Sequence, residues 1–304
     1  MGLPTIPDIN CLARALGLPK AVLTSYMFQS DYYYYKTFRI PKRSGRGSRS
    51  ICAPSRHLKG IQRWILAFIL RQAQLSDACT GFRPGMSILD NARGHVGKDF
   101  VLNMDLQDFF PSITTPRVVG LFKSLGYSAP VSSALARLTT HRGQLPQGAP
   151  TSPDIANLIA RRLDARLSGY CRRAGWSYSR YCDDLTVSGT GPLGNRVLDV
   201  LRVIVEDEGF RVNGSKTRVR RQGSQQLVTG LVVNRGIGIP RQVRRRVRGM
   251  LHQATLHPAR FAGMLEVLRG HKAFFSMVNP EDPLLKTKFD PALASIMAHL
   301  KRGA

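Results

Sequence analysis

Apolar residues along the first third of the chain recur at helical spacing. Leu12, Ala15 and Leu16, then Val22, Leu23, Tyr26 and Met27, form apolar faces over residues 8–30. Gly17-Leu18-Pro19 breaks that run into two helices. Tyr32 to Ile40 is aromatic and β-prone, and Ile51 to Ala53 reads as a returning strand. The stretch from Pro41 to Arg49 is basic and rich in Gly and Ser, so 32–53 is predicted to be a hairpin with a cationic tip. Residues 56–75 follow as an amphipathic helix with Leu58, Ile61, Ile65, Phe68 and Ile69 inward.

The period changes near residue 100. Val101-Leu-Asn-Met-Asp105 is an apolar run ending in a carboxylate, read as a strand over 100–105. A helix is expected from Pro116 to Leu125. Leu145 to Pro153 is a turn-rich loop that enters a helix, with Ser152 as N-cap and Pro153 at the first helical position. Ile155, Leu158, Ile159, Leu163 and Leu167 continue it. Trp176–Tyr181 and Leu185–Ser188 flank Asp183-Asp184 as a hairpin. A helix near 195–208 and short strands near 210–213, 227–233 and 237–239 come next. Beyond Pro240 the chain is helical and carries Arg241, Arg244, Arg245, Arg246 and Arg248. This order predicts an α+β fold with segments 1–100, 101–239 and 240–304.

Charge narrows the function. Lys and Arg number 45 against 19 Asp and Glu, a net +26 over 304 residues. An excess of that size repels itself unless a polyanionic partner neutralises it, which points to nucleic acid. Cysteines 11, 52, 79, 171 and 182 show no CxxC spacing, as expected of a reducing cytoplasm without disulfides or zinc. The apolar run Trp64–Leu70 is too short to span a bilayer. Neither a secretory signal nor a myristoylation pattern is visible.

The candidate chemistry lies in Tyr181-Cys182-Asp183-Asp184 and Asp105. A strand end carrying one Asp and a hairpin turn carrying two can bring three carboxylates to one point. Hard oxygen ligands of that kind suit a pair of Mg²⁺ ions, with Mn²⁺ as a substitute, and two metals so held serve nucleotidyl transfer. Taken alone, Asp183-Asp184 is equally a hydrophilic hairpin tip. Phe109 and Phe110 follow Asp105 closely; bulk there can exclude a sugar 2′-hydroxyl, and one of the two is expected to be plain core. Gln147-Gly148 sits in a Pro-bounded loop where Gln can reach a sugar hydroxyl; a simple helix-entry loop is the other reading. Lys42, Arg46 and Arg49 can fold over triphosphate oxygens or form a solvated charge run. Lys216 can protonate departing pyrophosphate or be a surface lysine in a turn. At most two of Tyr32–Tyr35 can stack on bases. The arginines of 241–248 suit a phosphate backbone.

In this order the blocks Asn103-Met-Asp105-Leu-Gln-Asp108-Phe-Phe110-Pro-Ser-Ile113, Leu145-Pro-Gln147-Gly148-Ala-Pro-Thr-Ser-Pro153 and Tyr181-Cys-Asp183-Asp184 resemble those of reverse transcriptases. Asn91-Ala92-Arg-Gly-His95 and Val228-Thr229-Gly230-Leu231 resemble two elements of the bacterial retron enzymes. The likeness runs from about residue 10 to 290 and implies a right-hand polymerase fold: fingers over 1–100, a palm with an antiparallel sheet over 101–239, and a basic helical thumb over 240–304.

The resemblance also implies roles. Asp105, Asp183 and Asp184 are then metal-ligating catalytic residues, with the Leu106 backbone carbonyl beside them. Phe110 is the sugar gate, Gln147 a nucleotide contact, and Lys42, Arg46, Arg49 and Lys216 bind the triphosphate. Asn91, His95, Tyr181, Thr229, Gly230, Arg241, Arg244, Arg245 and Arg248 contact nucleic acid. Cys182 stands where Ala is common in the family; Cys is similarly small, so activity is expected to survive. The implied reaction copies part of a structured noncoding RNA from a guanosine 2′-hydroxyl into branched multicopy single-stranded DNA. It takes place in the bacterial cytoplasm, in defence against phage, with an effector on a separate chain. A group II intron or diversity-generating class, a scaffold for an effector, and an RNA-dependent RNA polymerase are the rival readings.

Overall fold

The computed structural model describes residues 2–41, 47–194 and 196–302, without the side chains of 30–32 and 302. Asp8 caps α1 (Ile9–Ala15), its carboxylate accepting the Cys11 N–H at 2.8 Å. The chain turns at Gly17 into α2 (Lys20–Tyr33). The helix therefore takes Tyr32, which the pattern had assigned to a strand. Of the neighbouring tyrosines, Tyr34 packs, lying on Tyr26 with ring centroids 4.4 Å apart and sharing a 3.0 Å hydrogen bond with Ser25, while Tyr33 is exposed. β1 (Tyr35–Pro41) and β2 (Ser48–Pro54) form the expected hairpin, antiparallel, in register from Tyr35 against Pro54 to Pro41 against Ser48. Ser55 starts α3 (Arg56–Phe68), which tightens into a 3₁₀ turn at Leu70–Gln72 instead of running to 75.

A short helix, α4 (Ile88–Arg93), opens with a capping box between Ser87 and Asp90. β3 (Phe100–Asp105) follows, then α5 (Thr115–Ser124), α6 (Ala129–Thr139), α7 (Ser152–Ile159) and α8 (Arg161–Arg173). Ser152 is not the N-cap. It is the first helical residue, and its hydroxyl donates to the Pro146 carbonyl at 2.6 Å, which staples the Pro-rich loop. β4 (Ser177–Tyr181), β5 (Asp184–Gly189), α9 (Val197–Asp207) and β6 (Arg218–Arg221) complete the sheet region. β7 (Leu227–Val228) and β8 (Leu231–Val232) make a small hairpin. The rest is helical: α10 (Arg241–Leu256), α11 (Pro258–Phe261), α12 (Leu265–Val278) and α13 (Asp290–Arg302), with a π-helical turn at Leu285–Phe289.

The main sheet has the order β4-β5-β3-β6. Apart from Asn103, all of β3 is buried, which explains its nearly unbroken apolar run. The expected strand at 210–213 is only a single bridge between Leu106 and Val212. The edge is taken by β6, whose arginines hid it from an apolar pattern and whose charge protects an exposed edge. Likewise 237–239 contributes one bridge, Val232 to Gly238.

The chain packs into two units. The first holds the segment up to Met86, Leu102–Val187 and Pro192–Val219; the second holds Ser87–Val101, Ser188–Gly191 and everything from Arg220 on. The second has a helical core of Val247, Leu251, Leu268, Phe275, Phe289 and Ile296. No helix among the described residues is long and apolar enough to cross a membrane.

Candidate active site

β3 ends at Asp105, and Cys182-Asp183 is the two-residue turn joining β4 to β5. The Leu106 N–H donates to the Asp183 carbonyl at 2.9 Å, tying that strand end to the turn. The Asn213 N–H donates to the Asp105 carbonyl at 2.8 Å and brings the Gly214–Lys216 turn alongside. Lys216 Nζ then donates to both Asp105 oxygens, at 2.8 and 2.9 Å.

These groups feel one another electrically. Burial raises the Asp183 carboxyl; the Asp105 charge adds to this, and Lys216 and Arg49 oppose it. Burial, with the charges of Asp183 and Asp105 behind it, pushes Asp184 up to about 6. The hydrogen bond to Asp105 holds Lys216 above its ordinary value. Among the described residues no group of three or more His, Cys, Asp or Glu side chains is close enough to hold a metal by itself. The donor set still fits a divalent cation: hard carboxylates that raise each other's proton affinity are relieved by positive charge, which Lys216 now supplies at Asp105.

Phe110 is half-buried, with Phe109 5.6 Å and Phe82 6.2 Å away between ring centroids. Phe109 is core, 4% exposed, as expected for one of the pair. Phe82 was not anticipated. It is an exposed aromatic held at φ +57° against Phe110, and nothing in the local sequence signals that. The Gln147 carbonyl accepts the Cys52 N–H at 2.8 Å, so its loop lies on β2. Gly148 is required there, since a Cβ would meet Ile51 at 2.8 Å. Arg49 is exposed on β2, and its charge reaches Asp183. Lys42 and Arg46 lie outside the described residues. Tyr181 is half-buried at the end of β4.

The retron-like elements meet within the second unit. Ala92, Val101, Val228, Leu231 and Val233 form one small core. Thr229 and Gly230 both have positive φ, +47° and +83°, as a two-residue hairpin of type I′ needs. The Thr229 hydroxyl bonds the Ile88 carbonyl at 3.2 Å. Asn91 and His95, expected at a nucleic-acid surface, are each only 1% exposed. They build the element from inside: His95 Nδ1 lies 2.7 Å from Ser188 Oγ, and burial lowers its pKa to about 4.

On α10, Arg241, Arg245 and Arg248 are exposed along one face at i, i+4 and i+7 spacing. Arg244 departs from expectation. It forms a bidentate ion pair with the buried Asp282 and lies 5.7 Å from the Phe275 ring, so it is committed to the helical core.

The family "Reverse transcriptase (RNA-dependent DNA polymerase)" matches residues 40–248. The retron Mx65 reverse transcriptase of Myxococcus xanthus is 42% identical over 92% of this chain and 70% of its own length. The retron Ec86 reverse transcriptase of Escherichia coli is 38% identical over 83% of this chain and 79% of its own. A solved structure of telomerase from Candida albicans with a fragment of telomeric RNA aligns at a TM-score of 0.49 and 14% identity, over 90% of this chain and 61% of that one. The fold and the motifs are those of an RNA-directed DNA polymerase. Within that class, the chain belongs to the retron reverse transcriptases.

Proposed function

We propose that this polymerase copies part of a cognate structured noncoding RNA, starting from a guanosine 2′-hydroxyl within it, and keeps the branched RNA–DNA product bound. The observation that carries the catalytic part is the placement of Asp105 and Asp183 at one sheet end through the 2.9 Å bond from Leu106 to Asp183. Asp105, Asp183 and Asp184, with the Leu106 carbonyl, would hold two Mg²⁺ ions, which when bound supply charge for 3′-hydroxyl activation and pyrophosphate departure.

The remaining steps belong to side chains. Phe110 fills the space a 2′-hydroxyl would need, and Gln147 orients the sugar. Lys42, Arg46 and Arg49 hold the triphosphate. Lys216 Nζ, kept protonated by Asp105, delivers a proton to pyrophosphate. Arg241, Arg245 and Arg248 track phosphates, and Tyr181, Thr229 and Gly230 each contact nucleic acid. A net charge of +26 supports retention of the product. The setting is the bacterial cytoplasm, in antiphage defence, with an effector on a separate chain.

The test is to purify the protein with its RNA and treat the extracted nucleic acid with debranching enzyme. A DNA species that gains mobility on debranching is expected. DNA with a free 5′ end would remove the 2′-primed reading.

A further inference from the structure

Cys182 carries a strain that its own sequence does not relieve. It sits at φ +60° in the turn that presents Asp183, a conformation suited to Gly or Asn and costly for other side chains. Such a residue persists only where its surroundings over-determine it. Two contacts do so, one at the Cys182 carbonyl and one at its nitrogen.

The first is Arg180, the largest fully buried side chain among the described residues. Its guanidinium donates to the Asp164 carboxylate from Nε and Nη2, each at 2.8 Å, and from Nη1 to Asn157 Oδ1 at 2.9 Å. The same Nη1 donates to the Cys182 carbonyl at 3.1 Å. Tyr178 adds its hydroxyl to Asp164 at 2.9 Å. A planar fork fixed by two acceptors thus aims a further donor at the carbonyl of the strained residue.

The second is Gly81. A Cβ built there would lie 2.4 Å from Cys182 N, 2.9 Å from its Sγ and 2.9 Å from the Tyr181 carbonyl carbon. The segment carrying Gly81 is fastened to the same network. Thr80 N–H donates to the Arg180 carbonyl at 2.9 Å, Arg180 N–H to the Ala78 carbonyl at 2.8 Å, and Asn157 Nδ2 to the Gly81 carbonyl at 2.9 Å.

We infer that Gly81 and Arg180 are positioning residues of the polymerase centre: the bare Gly81 backbone against the Cys182 nitrogen and the buried guanidinium on the Cys182 carbonyl together clamp this strained residue, and so fix where Asp183 points. Neither touches substrate. The inference rests on reading Asp183 as a catalytic carboxylate.

Gly81→Ala tests the clamp without disturbing the buried ion pair. Ordinary contact with a Cβ begins near 3.4 Å, so the 2.4 Å approach forces the turn to move by about 1 Å. A displacement of that size at reacting groups costs on the order of 100-fold in rate. Single-nucleotide incorporation on saturating RNA template and primer would be measured with the thermal melt and the template Kd. The expected result is kcat lowered about 100-fold, with a folded protein and a Kd within about twofold of the parent. Arg180→Lys keeps its charge beside Asp164 but loses the fork, and a fall of at least about tenfold in kcat is expected. It also answers the question if Gly81→Ala does not accumulate.

A folded variant of either kind with parental kcat overturns the inference. Asp183→Asn separates this failure from that of the catalytic reading. An inactive Asp183→Asn beside a fully active Gly81→Ala sinks the clamp alone, whereas an active Asp183→Asn sinks the reading beneath it.

Discussion

Lys216 Nζ donates to both oxygens of Asp105, at 2.8 and 2.9 Å, and so neutralises the carboxylate that the proposed site would offer to a divalent ion. The two cations would compete. The lysine side chain is 58% exposed, so the pair contributes about 1 kcal/mol at most. Lys216→Met is therefore expected to lower the half-saturating Mg²⁺ concentration by up to about fivefold. If Nζ also protonates pyrophosphate, kcat falls in the same variant. Magnesium titrations of single-turnover incorporation read both effects.

Burial pushes Asp184 up to about 6 and raises Asp183, so a metal held there would displace a proton from Asp184 below about pH 6. For carboxyls with raised folded pKa values, the metal-free folded state binds more protons than the unfolded chain between about pH 4 and pH 6. Stability without metal is then expected to fall as pH rises through that window. Metal affinity runs the other way, weakening by about tenfold per pH unit below about pH 6 for each proton displaced. Calorimetric Mg²⁺ titrations in two buffers of different ionisation enthalpy would report the proton release; none at about pH 6 would contradict the shifts.

Phe110 is packed from two sides by Phe109 and Phe82, so its ring has little freedom to yield to a 2′-hydroxyl. Phe110→Ala should narrow the preference for deoxynucleotides over ribonucleotides by at least about tenfold, read as the ratio of kcat/KM values. An unchanged ratio would place the gate elsewhere.

Neighbouring arginines on α10 are expected to behave differently. Arg244→Ala leaves the buried Asp282 without its ion-pair partner, which costs about 1–3 kcal/mol with the arginine partly exposed, and lowers Tm. Arg245→Ala leaves Tm in place but weakens nucleic-acid binding, and the slope of log K against log salt drops by about one. Thermal melts and salt-dependent binding of both variants separate a structural arginine from a phosphate contact.

Much of this was legible in the chain. The buried strand to Asp105, the Asp183-Asp184 hairpin and the Pro-rich loop at Gln147 announced themselves because turn chemistry and apolar runs are local signals. What escaped depends on tertiary company. β6 reads as charge because it is an edge. Asn91, His95 and Arg244 look like surface polar groups, and only the fold supplies the Ser188 and Asp282 partners that let His95 and Arg244 sit where they do. Tyr32 has the composition of a strand, yet α2 runs through it. Gly81 and Phe82 matter through contacts about 100 and 28 residues away, beyond the reach of periodicity.

RNA-templated DNA synthesis by the Asp183→Asn, Asp184→Asn double variant, purified with its bound RNA, tests the central claim most directly. The account predicts intact protein and RNA with no detectable DNA. DNA at the parental level would mean that the aspartates gathered at this sheet end are not the polymerase centre.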